Sequence, residues 1–538
     1  MDQVLSKIGL LNEIGIALSA ATDVEVLCDK ILTGAMELTD SDGGSLYRMS
    51  DDKTSLEFVI VTTHSLDIHM GGRSGQEIKF PVIPLMVNGQ PNKSNVVSSA
   101  VHDEHTINIP DAYHAEGFDF SGTRKFDQQT GYRTKSILTI PLTNHYNEII
   151  GVLQLINAKD ENTGETREFS LADKQLAESL ASQAAVAITN NKLIEEQREL
   201  FEAFIKLMAS AIDEKSPYTG GHCKRVPELT MMIADACHRS QSEALKDFKM
   251  TEKDRYELTI AGWLHDCGKV TTPEYVVDKA TKLETIYDRI NTVDTRFEVL
   301  KRDAIIDCMQ QKIDWMSKDT SADCSELDSE LQKKIERLND DRDFIRKSNI
   351  GGENMGDELQ QRVRDIGENR WTDPDGVNAK FFNDNEIENL TVAKGTLTAD
   401  EREVINNHMA VTISMLAQLP FPKYLKNVPE YAGGHHERMD GKGYPNGLTR
   451  DQMSLQARMM GIADIFEALS ASDRPYKTGK PLTECLRILG FMKEDNHVDP
   501  DIFDVFIRDK VYMRYAETFL PKNQLDEVDH SDIPGFDV

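Results

Sequence analysis

Two runs far apart in the chain decide its reading: Gly262-Trp263-Leu264-His265-Asp266-Cys267-Gly268-Lys269 and Gly434-His435-His436-Glu437-Arg438-Met439-Asp440-Gly441-Lys442-Gly443-Tyr444-Pro445. His265 beside Asp266 offers an imidazole and a carboxylate, which can meet one divalent cation or let the carboxylate bridge two, and His435 with His436 offers two more imidazoles. Lys269 stands one helical turn beyond His265, so an anion held at such a centre would also meet a point positive charge. This combination suits phosphoester hydrolysis. A lone His-Asp pair in a chain with 14 His and 91 acidic residues is ordinarily solvated or hydrogen-bonded, so the argument rests on the full set. His222, His408 and Asp464 each sit on an apolar-periodic, helix-like stretch. Ligands projecting inward from several helices are how helical bundles build di-metal cores.

The ordered series of His222 with Arg225, His265-Asp266 with Gly268-Lys269, His408, His435-His436-Glu437-Arg438, Asp440 through Pro445, Asp464 and Arg474-Pro475-Tyr476-Lys477 resembles the HD-GYP family of phosphodiesterases, a branch of the HD-domain phosphohydrolases. The resemblance covers roughly residues 200–285 and 390–512. It implies an all-α domain that cleaves cyclic di-GMP, or a related dinucleotide such as cyclic GMP-AMP, to the linear dinucleotide or GMP. It also implies two divalent cations, iron or manganese. His222, His265, Asp266 and Asp464 would hold one, and His408, His435 and His436 its neighbour, with Asp266 bridging. Two such cations activate water and clamp the attacking and leaving oxygens, so no protein nucleophile is required. Asp266 and Lys269 would be the catalytic residues, Lys269 stabilising the phosphoryl oxygens, while Tyr444 would stack on or hydrogen-bond to the nucleotide. Arg474 and Lys477 would hold phosphate, as a guanidinium fork and a mobile ammonium suit an anion. Two other classes stay open: an HD phosphohydrolase for other nucleotides, and a non-catalytic dinucleotide receptor.

The chain departs from the family pattern twice. Members with a third metal carry a Glu four residues before the first His, where this chain has Tyr218, so two metals are expected. The stretch from His265 to His408 is also far longer than the family usually places there. Within the second run, Asp440-Gly441-Lys442-Gly443 just before Tyr444-Pro445 reads as a turn whose glycines take positive φ, and behind two histidines it reads as a substrate-lip loop. Glu437 and Arg438 are either a surface ion pair or a support for the ligands.

The extra length is an insertion at 285–390, between a first catalytic part at 216–284 and a second part with the C-terminal tail at 391–538. Leu283, Ile286, Ile290, Val293, Phe297 and Leu300 recur at helical spacing, and the stripe continues less regularly through Ile313, Met316, Leu327, Leu331, Ile335 and Leu338. A helical hairpin is the simplest reading, acting as a lid, a dimer contact or a structural decoration. Nothing in it resembles a catalytic motif.

Residues 1–175 are a different kind of domain. A helical opening (Leu5, Ile8, Leu11, Ile14, Leu18, then Val24 to Leu38) precedes strand-like runs at 56–61, 136–142 and 149–157, the order of an α+β sensor. The strand pair around Asn144 to Asn147, followed by Phe169-Ser170-Leu171-Ala172-Asp173, resembles a GAF domain. Cyclic-nucleotide-binding GAF domains carry an Asn-Lys pair, a Phe and then Asp-Glu. Here Asn157, Lys159, Phe169 and Asp173-Lys174 keep part of that pattern and lose the Glu, which leaves the identity of a small GAF ligand open. His64, His69, His102, His105 and His114 read as solvated loop residues rather than as a haem or metal site.

Residues 176–215 connect the two as one helix. Leu180, Ala184, Ala187, Asn191, Ile194, Arg198, Phe201, Ile205, Met208 and Ile212 alternate by three and four, a heptad seam that predicts a parallel homodimer through the 180–212 helix, with Asn191 setting register. The competing reading is an amphipathic helix packed on its own domain. A net charge of −30 argues against nucleic-acid polymers, whose phosphates demand a basic face. No apolar run reaches membrane-spanning length and no signal peptide opens the chain, so a cytoplasmic location without a membrane is expected. The 7 cysteines show no Cys-x-x-Cys spacing and read as reduced thiols.

Overall fold

The computed structural model describes residues 2–537 other than 22, 161, 216–220, 319–322, 353 and 472–478. The chain divides into two compact units, Met1–Phe201 and Glu202–Val538.

The first unit opens with α1 (Asp2–Ser19) and α2 (Val24–Thr39). Asp23 caps α2 by accepting the Glu25 and Val26 N–H groups, and Asp40 ends it in the left-handed region at φ 54°. Six strands come next, β1 (Ser41–Met49), β2 (Ser55–Thr63), β3 (Ile68–Gly71), β4 (Ile107–Ile109), β5 (Ile137–Thr143) and β6 (Ile149–Lys159). They form an antiparallel sheet in the order β3-β2-β1-β6-β5-β4, flanked by short pairings of Ile83–Pro84 with β2 and Thr166–Arg167 with β6. Because strand side chains alternate, Leu153 and Leu155 join a core with Leu27, Ile31, Leu32 and Leu180 on the helical face. Val152 and Ile156 point the other way, toward α3 (Val96–Asp103) and the segment leading into α4 (Ser121–Thr130). This is the α+β architecture expected from the sequence for the first domain.

The residues of the partial nucleotide-binding pattern are engaged within the fold. Asn157 accepts the Lys135 N–H at 2.7 Å and donates to the Arg133 carbonyl at 2.8 Å, Phe169 is buried, and Asp173 is paired with Arg167 and the Ser170 N–H. Of the loop histidines, His64, His69, His105 and His114 are exposed and His102 Nε2 lies 2.7 Å from the Leu85 carbonyl.

α5 (Leu171–Lys215) runs as one 45-residue helix. The positions expected to form its inner seam largely pack within the chain itself. Leu180 and Ala184 lie in the core of the first unit, Asn191 donates to the Ala21 carbonyl, and Ile205 and Ile212 are buried in the second unit. A different stripe is left open: Val186, Asn190, Leu193, Gln197, Leu200, Phe204 and Leu207 are all exposed and also alternate by four and three. The amphipathic reading of this helix therefore describes the expected seam, and a second face carries the open stripe.

The second unit is mostly helical. Its core helices are α6 (His222–Arg239) and α7 (Glu252–Leu264), then, beyond the insertion, α12 (Ala399–Asn406), α13 (His408–Ala417), α14 (Val428–Gly433), α15 (Leu455–Ser470), α16 (Leu482–Glu494), α17 (Pro500–Arg508) and α18 (Val511–Phe519). The insertion begins as the expected hairpin, α8 (Ile290–Lys318) against α9 (Ser325–Asn349), antiparallel because Asp294 pairs with Arg346 at one end and Lys312 with Asp328 at the other. It continues with α10 (Asp357–Gly367), a two-stranded hairpin of β7 (Arg370–Thr372) and β8 (Asn378–Lys380), and α11 (Asp384–Leu390). The β-hairpin interrupts the expected helical pattern because Asp373-Pro374-Asp375-Gly376 closes a tight turn with Gly376 at φ +79°. Val293, Phe297, Leu338, Ile345, Phe381 and Phe382 form a core of the insertion's own, whereas Ile286, Ile313 and Met316 are exposed. At its base, buried Lys279 binds the Glu401 carboxylate and Asn389, and buried Lys282 donates to the Leu390 and Val392 carbonyls. Among the described residues no helix is long and apolar enough to cross a membrane.

Candidate metal centre

The expected ligands come mostly from helix ends. His222 is the first residue of α6, His265 caps the C-terminus of α7, His408 opens α13, and His435 and His436 lie just past the last turn of α14. Asp464 alone projects from mid-helix, on α15. A helix end lets the backbone turn away, so several chain segments can aim side chains at one point without colliding. Glycine makes the closest approach possible: a Cβ on Gly268 would lie 2.0 Å from the His408 carbonyl oxygen, and the Gly268 N–H donates to Thr412 Oγ1 at 2.9 Å. The 3-10 helix Cys267–Thr271 is thereby pressed against α13.

The side chains converge into two groups, His222, His265, Asp266 and Asp464, and Asp266, His408, His435 and His436, with the donor atoms of each group within 4.8 Å of one another. Asp266 belongs to both. Its Oδ2 lies 3.1 Å from His265 Nε2 and 3.2 Å from His222 Nε2, while its Oδ1 faces His408 Nε2 across 3.3 Å. The opposite edge of each ring sets the proton positions. Nδ1 of His265, His408 and His435 sits on the carbonyl oxygen three residues earlier, at Gly262, Ile405 and Ala432. A carbonyl only accepts, so Nδ1 carries the proton and Nε2 turns a lone pair into the cluster.

His222 is oriented by a carboxylate instead. Its Nδ1 is 2.5 Å from Glu467 Oε2, and Glu467 Oε1 is held by Arg225. Burial opposes charge on His222, but Glu467, Asp266 and Asp464 outweigh it and hold its pKa well above the ordinary value. Burial likewise pushes Asp266 up, yet Lys269, His265 and His222 keep its carboxyl well below the usual range. Burial and the neighbouring imidazoles depress His435, and burial lowers His436 to about 4. Lys269 Nζ donates to Asp266 Oδ2 at 2.6 Å.

The donor set fits a divalent cation. Asp266 Oδ1, His408 Nε2 and His435 Nε2 are buried and have no hydrogen-bond partner, and leaving such atoms unsatisfied costs about 1–3 kcal/mol each. Neutral imidazoles and carboxylates are ligands for transition metals, and a cation would satisfy all three orphaned atoms together.

The loop beyond the histidines is held from beneath. Glu437 is buried and accepts the N–H groups of Asn446 and Leu448, at 2.8 and 2.9 Å, whereas Arg438 pairs with Asp440. Of the two readings open from sequence, Glu437 thus supports the loop, and Arg438 forms a local ion pair. Gly441 takes φ +75°, and a Cβ on Gly443 would strike the backbone of Glu437 and Arg438. Tyr444 stacks on His436, with ring centroids 4.8 Å apart and planes 20° apart. Arg474 and Lys477 lie outside the described residues, as does Tyr218. Sequence reasoning missed Glu467; its spacing of one helical turn from Asp464 was the available signal.

The GAF domain family matches residues 23–188 and an HD domain family matches residues 381–502. The chain carries a GAF domain and an HD domain. The motifs of the HD domain fit the HD-GYP branch. Among curated proteins, the chain is similar to a 3'3'-cGAMP-specific phosphodiesterase of Vibrio cholerae, 41% identical over 112 residues, 20% of this chain and 23% of the relative. It is similar to a cyclic di-GMP phosphodiesterase of Pseudomonas aeruginosa, 45% identical over 74 residues, 14% of this chain and 17% of the relative. A cyclic di-GMP phosphodiesterase of Thermotoga maritima is 32% identical over 119 residues, 22% of this chain and 32% of that protein. The chain thus spans less than a third of the length of each of these relatives.

Proposed function

We propose that this GAF–HD protein is a metal-dependent phosphodiesterase that hydrolyses a cyclic dinucleotide, cyclic di-GMP or cyclic GMP-AMP, under control of its GAF domain. The observation that carries the reading is Asp266 standing in both ligand groups, with its own Oδ1 and the Nε2 atoms of His408 and His435 buried and unpartnered in the second group. The similarity to cyclic di-GMP and cGAMP phosphodiesterases supports the substrate class.

In this reading His222, His265, Asp266 and Asp464 hold one divalent ion, and Asp266, His408, His435 and His436 hold a second, iron or manganese in each case. When bound, such a pair supplies an activated water and charge neutralisation at the phosphate. The chain's own residues do the rest. Glu467 and the three i−3 carbonyls fix the imidazole tautomers, so the site is organised before substrate arrives. Lys269 leaves Asp266 to meet a phosphoryl oxygen, an exchange of one anionic partner for another. Tyr444, braced on His436, offers an aromatic face to a nucleobase. Arg474 and Lys477 complete the phosphate contacts.

We also read the protein as a homodimer through the exposed stripe of α5, with an unidentified small ligand at the GAF domain. The deciding experiment is a panel of cyclic di-GMP, cyclic GMP-AMP, linear dinucleotide and mononucleotides, with product chromatography and metal analysis of anaerobically purified protein. Turnover of a cyclic dinucleotide together with bound iron or manganese is expected. Tight dinucleotide binding without turnover would make the protein a receptor, and preference for mononucleotides would overturn the substrate class.

A further inference from the structure

The last turn of α5 grips two of the elements that carry metal-site residues. Asp213 Oδ2 accepts the Gly221 N–H at 3.0 Å and its Oδ1 accepts the Cys223 N–H at 3.3 Å, the residues on either side of His222. α6 starts at His222 with a glycine before it, so it has no side chain of its own to cap its first N–H groups. The carboxylate of α5 serves instead, and its charge also suits a helix N-terminus. One residue beyond Glu214, Lys215 Nζ donates to three carbonyls, those of Lys269 at 3.2 Å, Val270 at 2.5 Å and Thr272 at 2.7 Å. Three donors meet three acceptors, which uses the full capacity of an ammonium. These carbonyls close the 3-10 helix that begins directly after Asp266 and carries Lys269.

Asp213 therefore fixes the backbone from which His222 projects, and Lys215 fixes the backbone just after Asp266. The two held side chains meet at 3.2 Å, His222 Nε2 to Asp266 Oδ2. We propose that Asp213 and Lys215 are positioning residues that set the spacing of the first ligand group, so that the helix leaving the GAF domain ends as a clamp on the metal centre. Either residue alone could be a plain cap. A carboxylate and an ammonium two positions apart on one helix, each holding a different ligand-bearing element, is what points to a clamp. A shift of α5 along its axis would load both contacts at once.

The inference rests on the proposed metal phosphodiesterase only for its activity readout; the contacts stand without it. The test uses the full chain with Asp213→Ala, Lys215→Ala, Lys215→Arg and Asp213→Asn. For each, three quantities are measured: melting temperature, manganese retained against graded chelator, and kcat and KM on cyclic di-GMP. The alanine variants are expected to stay folded, to lose manganese at about tenfold lower chelator, and to lose about tenfold in kcat with KM changed less than about twofold, the scale of removing a support behind a metal ligand. Lys215→Arg should recover both quantities, because a guanidinium can still donate to several carbonyls, and Asp213→Asn should recover them in part.

Folded alanine variants with parental retention and kcat would overturn the clamp, as would a loss that Lys215→Arg does not repair. If Lys215→Ala fails to fold, Lys215→Gln, which keeps an N–H donor and loses the charge, is judged by the same two outcomes. A parent that retains manganese but leaves cyclic dinucleotides intact would sink the proposed activity alone, and the clamp would then be decided on retention. A parent that retains no metal overturns both.

Discussion

Tyr444 lies nearly parallel to His436, with ring centroids 4.8 Å apart, so an imidazole of the candidate metal cluster braces one face of the tyrosine. The loop is held for this by Glu437 and by Gly443, whose absent side chain lets the chain double back on itself. Tyr444→Ala should raise KM for a cyclic dinucleotide about tenfold or more, as base–aromatic stacking contributes about 1–3 kcal/mol, while Tyr444→Phe stays within about threefold of the parent. If the phenylalanine variant fails as badly as alanine, the hydroxyl rather than the ring carries the contact.

Asp266 and Glu467 predict a graded pair of effects on metal content. Asp266→Ala removes an oxygen ligand from both groups and should strip metal from the protein and abolish hydrolysis. Glu467→Gln keeps every ligand but weakens the acceptor behind His222 Nδ1, and metal affinity should fall about 10–100-fold with residual activity restored at high manganese. Metal analysis after dialysis separates the two. An Asp266→Ala protein with normal metal content and turnover would remove the site assignment.

Lys269 predicts a different signature. Its ammonium contacts Asp266 and lies outside both ligand groups. Lys269→Ala should retain metal and lose about 10²-fold in kcat, the usual scale for one electrostatic donor to a developing oxyanion. Loss of metal in that variant would make the lysine a structural partner of Asp266.

The first unit gives a pH prediction. Burial pushes the Asp173 carboxyl up, but Arg167 and the Ser170 N–H and hydroxyl outweigh it and hold the group below its ordinary value. A carboxylate with a depressed folded pKa contributes stability above its unfolded pKa near ~4, and that contribution is lost as pH falls further. Asp173→Asn should therefore lower the melting temperature at about pH 7, and the gap to the parent should narrow as pH is taken from about 5 to about 3. A gap that stays constant over that range would place the contribution in packing rather than in the charge. The same position belongs to the partial cyclic-nucleotide pattern, so an intact ligand response in this variant would separate folding from binding there.

The convergence of these side chains was legible because ligand chemistry constrains residue type: few sequences place His265-Asp266 and His435-His436 with three further candidate ligands in order by accident. The supports behind the ligands were less legible. Glu467, Asp213 and Lys215 are ordinary charged residues on helices, and only the fold says which backbone or ring each meets. The apolar stripe predicted the hairpin, yet Ile286 lies in the loop before α8 begins at Ile290, and Ile313 and Met316 on α8 proved exposed, because periodicity gives the face of a helix and neither where it starts nor how far its partner extends. α5 was ambiguous for a related reason. Two heptad-like stripes run along it, and the one built from Leu180, Ala184, Ile205 and Ile212 is consumed by packing inside the chain.

The remaining stripe of α5 carries the proposed contact between two copies of the chain. Leu193, Leu200 and Leu207 recur every seven residues, with Asn190, Gln197 and Phe204 each three residues before one of them, and all six are exposed. Leucine at one inner position and an asparagine at the other are features of parallel two-stranded coiled coils. Leu200→Glu with Leu207→Glu should therefore yield a monomer by light scattering, with the metal content unchanged because no ligand lies on α5. Phase should matter more than length. Deleting Ile194 through Leu200 removes one heptad and keeps the stripe in register, whereas deleting Ile194 through Gln197 turns the downstream part of the helix by about half a heptad. The seven-residue deletion should stay dimeric and near parental activity, and the four-residue deletion should shift activity strongly. Equal activity in the two deletions would remove the helix from regulation, and a monomeric parent would leave the exposed leucines without the partner assigned to them.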